Sequence, residues 1–296
     1  MTEAAANGRE AELTAHYGLC DEALRDQDRD CWLACLFAPA AERRHLHALY
    51  AFACEIADVR TRVTQPLLGE MRLRWWLDAL ATESGGAGGG ARAHPVADAL
   101  LDTVERCGLP RDEIAALIEA HSFDLYDDPM PTLAELETYC AKAVAAPLRW
   151  SAQSLGAVLD AETAKAMQDA GLALGLTKLL RALPRHAAAG QVYVPLDVLA
   201  RHGASAQDVI ERRATPGLQA ALAELRALAR AHYALARQAA PHLGAAQAAL
   251  LPAAVAPLAL DAMERRARNP FGEPPEPAQW RRQWRLWRAA RGVGLC

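Results

Sequence analysis

The sequence predicts an all-α protein, and three features carry that prediction. Residues that favour helices (Ala, Leu, Arg and Glu) are abundant, and apolar residues recur at the three- and four-residue spacing of a helix face. Alternating runs of β-branched residues, which mark strands, are almost absent. Hydrophobic residues make up 52% of the 296 residues and charged residues 23%, which is enough to build a sizeable core.

Apolar periodicity and local helix-start signals place the helices in order. Pro39 and Pro110 precede the third and sixth helices, and Thr132 with Glu135 forms a capping box before the seventh. The glycine-rich stretch SGGAGGGA, residues 84–91, is expected to be a surface loop. Helical patterns of similar character continue on both sides of it, so we predict one domain over residues 1–296. The predicted helices span 9–27, 30–37, 40–63, 68–83, 93–107, 111–122, 132–157, 160–187, 205–212, 216–240, 244–267 and 277–291.

Charge and cysteine content limit the functions that this chain can have. A net charge of −4 gives no indication of nucleic-acid binding. The seven cysteines are odd in number and scattered through helical patterns, which is typical of free thiols in a reducing compartment. No apolar signal core and no uninterrupted run of about 18 apolar residues is present. We therefore expect a cytoplasmic protein, with a peripheral position at the inner face of the membrane left open.

Two acids stand out in HALYAFACEIADVRTRV, residues 47–63. Glu55 and Asp58 are three positions apart and share a helix face. Two carboxylates that point into a cavity can help to hold a divalent cation. The alternative is a solvated face on which these acids pair with Arg60 and Arg62.

A second acidic group lies before Pro129, where a predicted helix gives way to a Pro-Met-Pro sequence. Its members are Asp124, Asp127 and Asp128, and we interpret them as turn-forming and capping residues.

A row of small and basic residues occurs in GLTKLLRALPRH, residues 175–186. Gly171, Gly175 and Thr177 predict a narrow helix face that something can approach closely. A row of cationic residues lies on one side of the same helix. It can receive a phosphate or a lipid headgroup. The alternative is an exposed basic stripe near a helix C-terminus, where the helix dipole favours cations. That row consists of Lys178, Arg181 and Arg185.

The last predicted helix carries a stripe of tryptophans in QWRRQWRLWRAARG, residues 279–292. Trp280, Trp284 and Trp287 share one face, and Arg281 and Arg285 are among the arginines around them. This pattern predicts a surface that lies in a bilayer interface, with the alternative that the stripe docks on the core of the protein.

Three ordered blocks resemble the squalene/phytoene synthase family. They are LFAPAAERRHLHALYAF, FDLYDDPMPTLAELETYC and GQVYVPLDVLARHG. The resemblance implies an isoprenoid-synthase fold around a central cavity, in which two prenyl diphosphates are joined with Mg²⁺ held by two Asp-rich motifs. It also implies that Tyr50 is a catalytic candidate, and that Thr177, Arg181 and Tyr193, which match the family, contribute to diphosphate binding.

The chain departs from that family at both Asp-rich motifs. The acids of the first motif fall on Ala57, Asp58 and Thr61, of which only Asp58 is acidic. The acids of the second motif fall on Ala182, Arg185 and His186. The acid-poor pattern is similar to a branch of the superfamily that includes bacterial relatives of mitochondrial complex I assembly factor 6, which are generally regarded as non-catalytic.

We therefore expect a non-catalytic protein of this type, without a cofactor, that has an assembly-factor or lipid-binding role at the membrane surface. Its partners would be a prenyl diphosphate or lipid in the cavity, and a membrane surface or membrane protein. The alternative is a diverged prenyltransferase for farnesyl or geranylgeranyl diphosphate. In that case Glu55 and Asp58 would recruit Mg²⁺, while the basic row would hold the diphosphate.

Overall fold

The computed structural model describes residues 3–81, 93–273 and 276–291, and all regular structure in these ranges is helical. The predicted loop 84–91 lies outside the described residues. The α-helices are α1 (Glu3–Gln27), α2 (Arg29–Cys35), α3 (Ala40–Ala57), α4 (Val59–Arg62), α5 (Pro66–Ala81), α6 (Pro95–Cys107), α7 (Arg111–Ala120), α8 (Leu133–Cys140), α9 (Ala146–Ser154), α10 (Ala161–Arg181), α11 (Leu183–Ala188), α12 (Leu196–Arg201), α13 (Ala206–Ile210), α14 (Pro216–Ala239), α15 (Ala256–Arg265) and α16 (Gln279–Ala290).

The helix predicted over 40–63 is broken at Asp58. This residue has φ −85° and ψ −5° and ends α3. Its carbonyl oxygen accepts hydrogen bonds from the backbone N–H groups of Thr61 and Arg62, which begins α4.

Two more predicted helices are subdivided. A π-helical segment, Ala141–Ala145, joins α8 to α9. At Ala182 α10 gives way to α11, whose second residue is Pro184. Proline lacks the N–H that would continue the hydrogen bonds of α10, so α10 ends just before it.

Helix α10 lies at the centre of the fold, packed against α14, and takes part in two of the three hydrophobic clusters of the core. Its glycines explain how closely its neighbour approaches. A Cβ atom on Gly171 would lie 2.2 Å from Cβ of Ala145, and one on Gly175 would lie 2.9 Å from Sγ of Cys140. The predicted narrow face is therefore confirmed for Gly171 and Gly175, against which the π-helical segment and the end of α8 pack, whereas Thr177 does not share it and faces a neighbouring pocket.

One helical stretch, Gly244–Arg265, is long and apolar enough to cross a membrane. Its first half is a 3₁₀ helix that contains Pro252, and 61% of its most apolar window is buried inside the protein. Fully buried residues such as Leu250 place this stretch in the core. The described cysteines are all free thiols, as predicted.

Candidate functional site

A cavity of about 310 Å³ lies beside α10. Its interior is mainly apolar and includes Val144, Leu148 and Leu174. We define the cavity mouth as the exposed residues of the lining together with Arg60, a lining residue that precedes the exposed Thr61 in the chain. These residues are Ala57, Arg60, Thr61, Lys178, Arg185 and Ala189.

The predicted metal pair lies outside this cavity. Neither Glu55 nor Asp58 contributes to the lining. Arg62 donates to Glu55 Oε2 at 2.8 Å and to Asp58 Oδ2 at 3.4 Å. In the described ranges, no group of three or more His, Cys, Asp or Glu side chains is placed to hold a metal ion. The pairing of both acids with an arginine corresponds to the solvated-face alternative.

Lys178 lines the cavity but is already paired. Its ammonium donates to Asp28 Oδ2 at 2.7 Å, and both residues face the cavity. Burial alone would lower the pKa of Lys178, but the carboxylate of Asp28 outweighs burial and holds that pKa above its ordinary value. In the same way burial would raise the pKa of Asp28, and Lys178 lowers it on balance. The pair therefore adds little net charge to the cavity.

The structure separates Thr177 and Arg181 from the main cavity. Both line a smaller neighbouring pocket of about 50 Å³, which is bounded on the far side by the C-terminal segment. The Thr177 hydroxyl donates to the Ala173 carbonyl at 2.6 Å, and Arg181 pairs with Glu276 at 3.3 Å. Of the predicted diphosphate-binding residues, only Lys178, Arg185 and Tyr193 line the main cavity.

Arg185 is an exposed cation of the cavity mouth and, unlike Lys178, makes no ion pair or hydrogen bond with any described residue. Next to it, His186 lines the cavity and its ring lies 4.6 Å from that of Tyr193. Burial and the charge of Arg185 lower the pKa of His186 to about 4. The imidazole is therefore neutral at pH 7.

A buried carboxylate that the sequence analysis treated as a turn former lies in the cavity wall. Asp124, on the 3₁₀ turn Phe123–Leu125, is 6% exposed. It accepts hydrogen bonds from the hydroxyls of Tyr139, at 3.0 Å, and Tyr193, at 2.5 Å. His121 Nδ1 lies 2.6 Å from Asp124 Oδ2. The turn interpretation of Asp124 was incomplete, because burial beside two tyrosines and a histidine cannot be seen in local spacing.

Comparison with known proteins agrees with this geometry. The family model described as squalene/phytoene synthase matches residues 24–288. The chain belongs to the squalene/phytoene synthase family. The crystal structure of squalene synthase HpnC from Alicyclobacillus acidocaldarius superposes with a TM-score of 0.72 at 26% identity, covering 88% of this chain and 97% of that one.

This family member has similar sequence identity to proteins of two differently named kinds. It is 32% identical to NADH dehydrogenase (ubiquinone) complex I, assembly factor 6 of Rattus norvegicus over 65% of its own length. That match spans only 57% of the rat protein. It is also 31% identical to a phytoene synthase of Thermus thermophilus, over 78% of this chain and 77% of that protein.

The positions of the family's metal-binding acids can now be located in this chain. Of the six positions, five line the cavity, and none of those five is acidic; they are Ala57, Thr61, Ala182, Arg185 and His186. The sixth position is Asp58, whose side chain turns to Arg62. The edge of the cavity where the family pattern has acids is therefore neutral and basic in this protein.

Tyr50, the remaining catalytic candidate, lines the cavity from α3 and is 7% exposed. Its hydroxyl is buried and makes no hydrogen bond with the described residues. This hydroxyl is therefore a polar atom of the cavity wall that a ligand or a water molecule could satisfy.

The C-terminal helix α16 turns its tryptophans away from the core. Trp280, Trp284 and Trp287 are 64%, 54% and 37% exposed. The core-docking alternative for this stripe is wrong, because the buried residues of α16 are Leu286 and Ala289. Arg285, predicted to lie on the membrane surface, instead points inward and donates to the Ala254 carbonyl at 2.6 Å and to the Tyr233 hydroxyl at 3.1 Å.

Proposed function

We propose that this family member binds a prenyl diphosphate, or a lipid with a similar anionic head, in its cavity without a metal ion and without turnover. The observation that carries the proposal is the composition of the cavity edge. Where the family pattern places acids that would gather Mg²⁺, the lining has two alanines, a threonine, an arginine and a histidine. Such an edge attracts phosphate directly and repels a cation.

The charges at the cavity mouth support direct anion binding. Arg185 is exposed and unpaired among the described residues, and Arg60 makes only a 3.5 Å contact with the exposed Asp127. A guanidinium group can donate two parallel hydrogen bonds to a phosphate. The mainly apolar interior would take the prenyl or acyl chain, and its volume lies in the usual range of small-molecule sites.

The names of some relatives lead us to extend the proposal to an assembly role at a membrane. Relatives named complex I assembly factor 6 match over 65% and 77% of the chain. We infer that the protein acts on a protein partner at the cytoplasmic face of a membrane, because ligands with long apolar tails reside there. Occupancy of the cavity would then control which surface the partner meets.

The second candidate function is a diverged prenyltransferase acting on farnesyl or geranylgeranyl diphosphate. The retained cavity, with Tyr50, Tyr193 and a buried Asp124 in its walls, and the relatives named phytoene synthase favour it. In this alternative Glu55 and Asp58 would release Arg62 and recruit Mg²⁺ when substrate arrives.

Ligand binding in EDTA tests the proposal. Farnesyl and geranylgeranyl S-thiolodiphosphates, which resist ionisation, are titrated into the full chain by calorimetry. We expect binding that is unchanged by added Mg²⁺ and about tenfold weaker in Arg185→Ala, the loss of one hydrogen bond to a charged group. The matched control is Arg201→Ala, since Arg201 is exposed and pairs with Glu224 away from the cavity. Binding that requires Mg²⁺, or equal affinities for all three proteins, would contradict the proposal.

A further inference from the structure

Helix α16 is held against the protein by polar contacts of its inner face. Arg282 donates to Asp30 Oδ2 at 3.0 Å, and the two side chains are 16% and 13% exposed. The guanidinium group of Arg285 binds a backbone carbonyl and a tyrosine hydroxyl, as described above. Together with the buried Leu286 and Ala289, these contacts fix which face of α16 points outward.

The outward face combines large aromatic rings with cations. The Trp284 and Trp287 rings are stacked, with centroids 4.9 Å apart. The Arg281 guanidinium lies 5.3 Å from the Trp280 ring centroid, and that of Arg291 lies 4.1 Å from the Trp287 ring centroid. We define the Trp face as Trp280, Arg281, Trp284, Trp287, Arg288 and Arg291.

The charge on this face has one sign. Residues 277–291 contain five arginines and no acidic residue. The three arginines of the Trp face make no ion pair with the described residues, whereas Arg282, on the inner face, is paired. Three exposed tryptophans at such a position are unusual for a surface that meets only water.

We propose that the Trp face docks this protein on an anionic lipid bilayer. Indole rings settle at the boundary between headgroups and acyl chains, and arginines around them meet the lipid phosphates. Each such cation adds to the attraction of the helix to an anionic surface. The inference rests on the membrane position proposed above and names the surface that makes the contact.

A second exposed apolar patch provides a matched comparison. Leu67, Leu68 and Met71 of α5 are 62%, 46% and 62% exposed. Glu70 lies among them, so the charge around this patch is mixed. Replacing three side chains by Ala in either patch removes the same number of exposed apolar side chains. We expect only the variant of the Trp face to lose membrane binding.

Vesicle cosedimentation of the full chain tests the docking surface. Vesicles contain phosphatidylglycerol and phosphatidylcholine in equal parts, or phosphatidylcholine alone. We expect binding to the anionic vesicles only, about tenfold weaker for the Trp280→Ala, Trp284→Ala, Trp287→Ala variant and unchanged for the Leu67→Ala, Leu68→Ala, Met71→Ala variant. Raising the salt concentration should weaken the binding, because it screens the arginines.

The outcomes separate the docking surface from the rest of the proposed function. Anionic-vesicle binding that survives in the tryptophan variant would overturn the Trp face and leave the membrane position standing. Failure of the unmodified protein to bind anionic vesicles would overturn both. Thiolodiphosphate binding by the tryptophan variant, measured without vesicles, should equal that of the unmodified protein, and its loss would mean that the substitutions had disturbed the fold.

Discussion

The cavity mouth and the inner face of α16 both contain arginines, and they use them in opposite ways. On the inner face of α16, Arg282 pairs with the half-buried Asp30, and Arg285 binds a carbonyl and a hydroxyl. At the cavity mouth, Arg185 is exposed and has no such partner among the described residues. The difference separates arginines that stabilise the fold from an arginine that is available to a ligand.

The same distinction applies to the lysine and the acids near the cavity. Lys178 and Asp28 neutralise each other, and Arg62 is paired with two carboxylates. Charged residues that looked equivalent in the sequence therefore fall into two groups. Only the unpaired group can bind an anion without first breaking an ion pair within the protein.

The largest effect on stability is expected from Arg282→Ala. This change removes the hydrogen-bonded cation from the half-buried Asp30 carboxylate, so the free energy of unfolding should fall by about 2 kcal/mol in urea denaturation. Arg185→Ala should change it by less than about 0.5 kcal/mol, as for other exposed positions. Similar losses in the two variants would remove the distinction between the two regions.

Restoring acids at the cavity mouth should change how the ligand is bound. In the double variant Ala57→Asp, Thr61→Asp, two carboxylates would face the cavity and could hold Mg²⁺ together with the substrate phosphates. We expect thiolodiphosphate affinity to rise about tenfold when Mg²⁺ replaces EDTA, with no such change in the unmodified protein. An equal rise in affinity with Mg²⁺ in both proteins would show that the unmodified cavity edge already binds the metal.

The smallest expected effect concerns His186. Burial and Arg185 hold its pKa at about 4, below the ordinary value near 6.5, so lowering the pH through this range favours the unfolded state, which binds the proton more readily. In Arg185→Ala one of the two causes is removed, and the pKa should rise. An NMR titration of the imidazole measures it. An unchanged pKa of His186 would show that the Arg185 charge does not reach the imidazole. That charge would then also be too far away to act on an anion bound beside His186.

Much of the fold could be predicted from the sequence because helical periodicity is a local signal. Most of the helices, the Thr132 half of the predicted capping box and the close approach to Gly171 follow from residue spacing. The Glu135 side chain does not complete the box, and the helix Leu196–Arg201 was not predicted. The break at Asp58 could not be predicted. It depends on backbone hydrogen bonds within one turn, and Ala57 and Thr61 on either side of it line the cavity whereas Asp58 does not.

The site was predicted in part. Lys178, Arg185 and Tyr193 do line the cavity, but pairing of Lys178 with Asp28 joins positions 150 residues apart and leaves no trace in local sequence. The buried Asp124 was missed for the same reason. Its position in the block that resembles the family was the only signal in the sequence that could have identified it.

Release of diphosphate from farnesyl diphosphate tests most directly whether this protein binds its ligand without turnover. The full chain is incubated with the substrate in Mg²⁺ and, separately, in EDTA, with Asp58→Ala beside it. We predict no release above the protein-free background in any of these reactions. Release that requires Mg²⁺ and is lost in Asp58→Ala would contradict a metal-free binding site and identify the protein as a prenyltransferase-type enzyme.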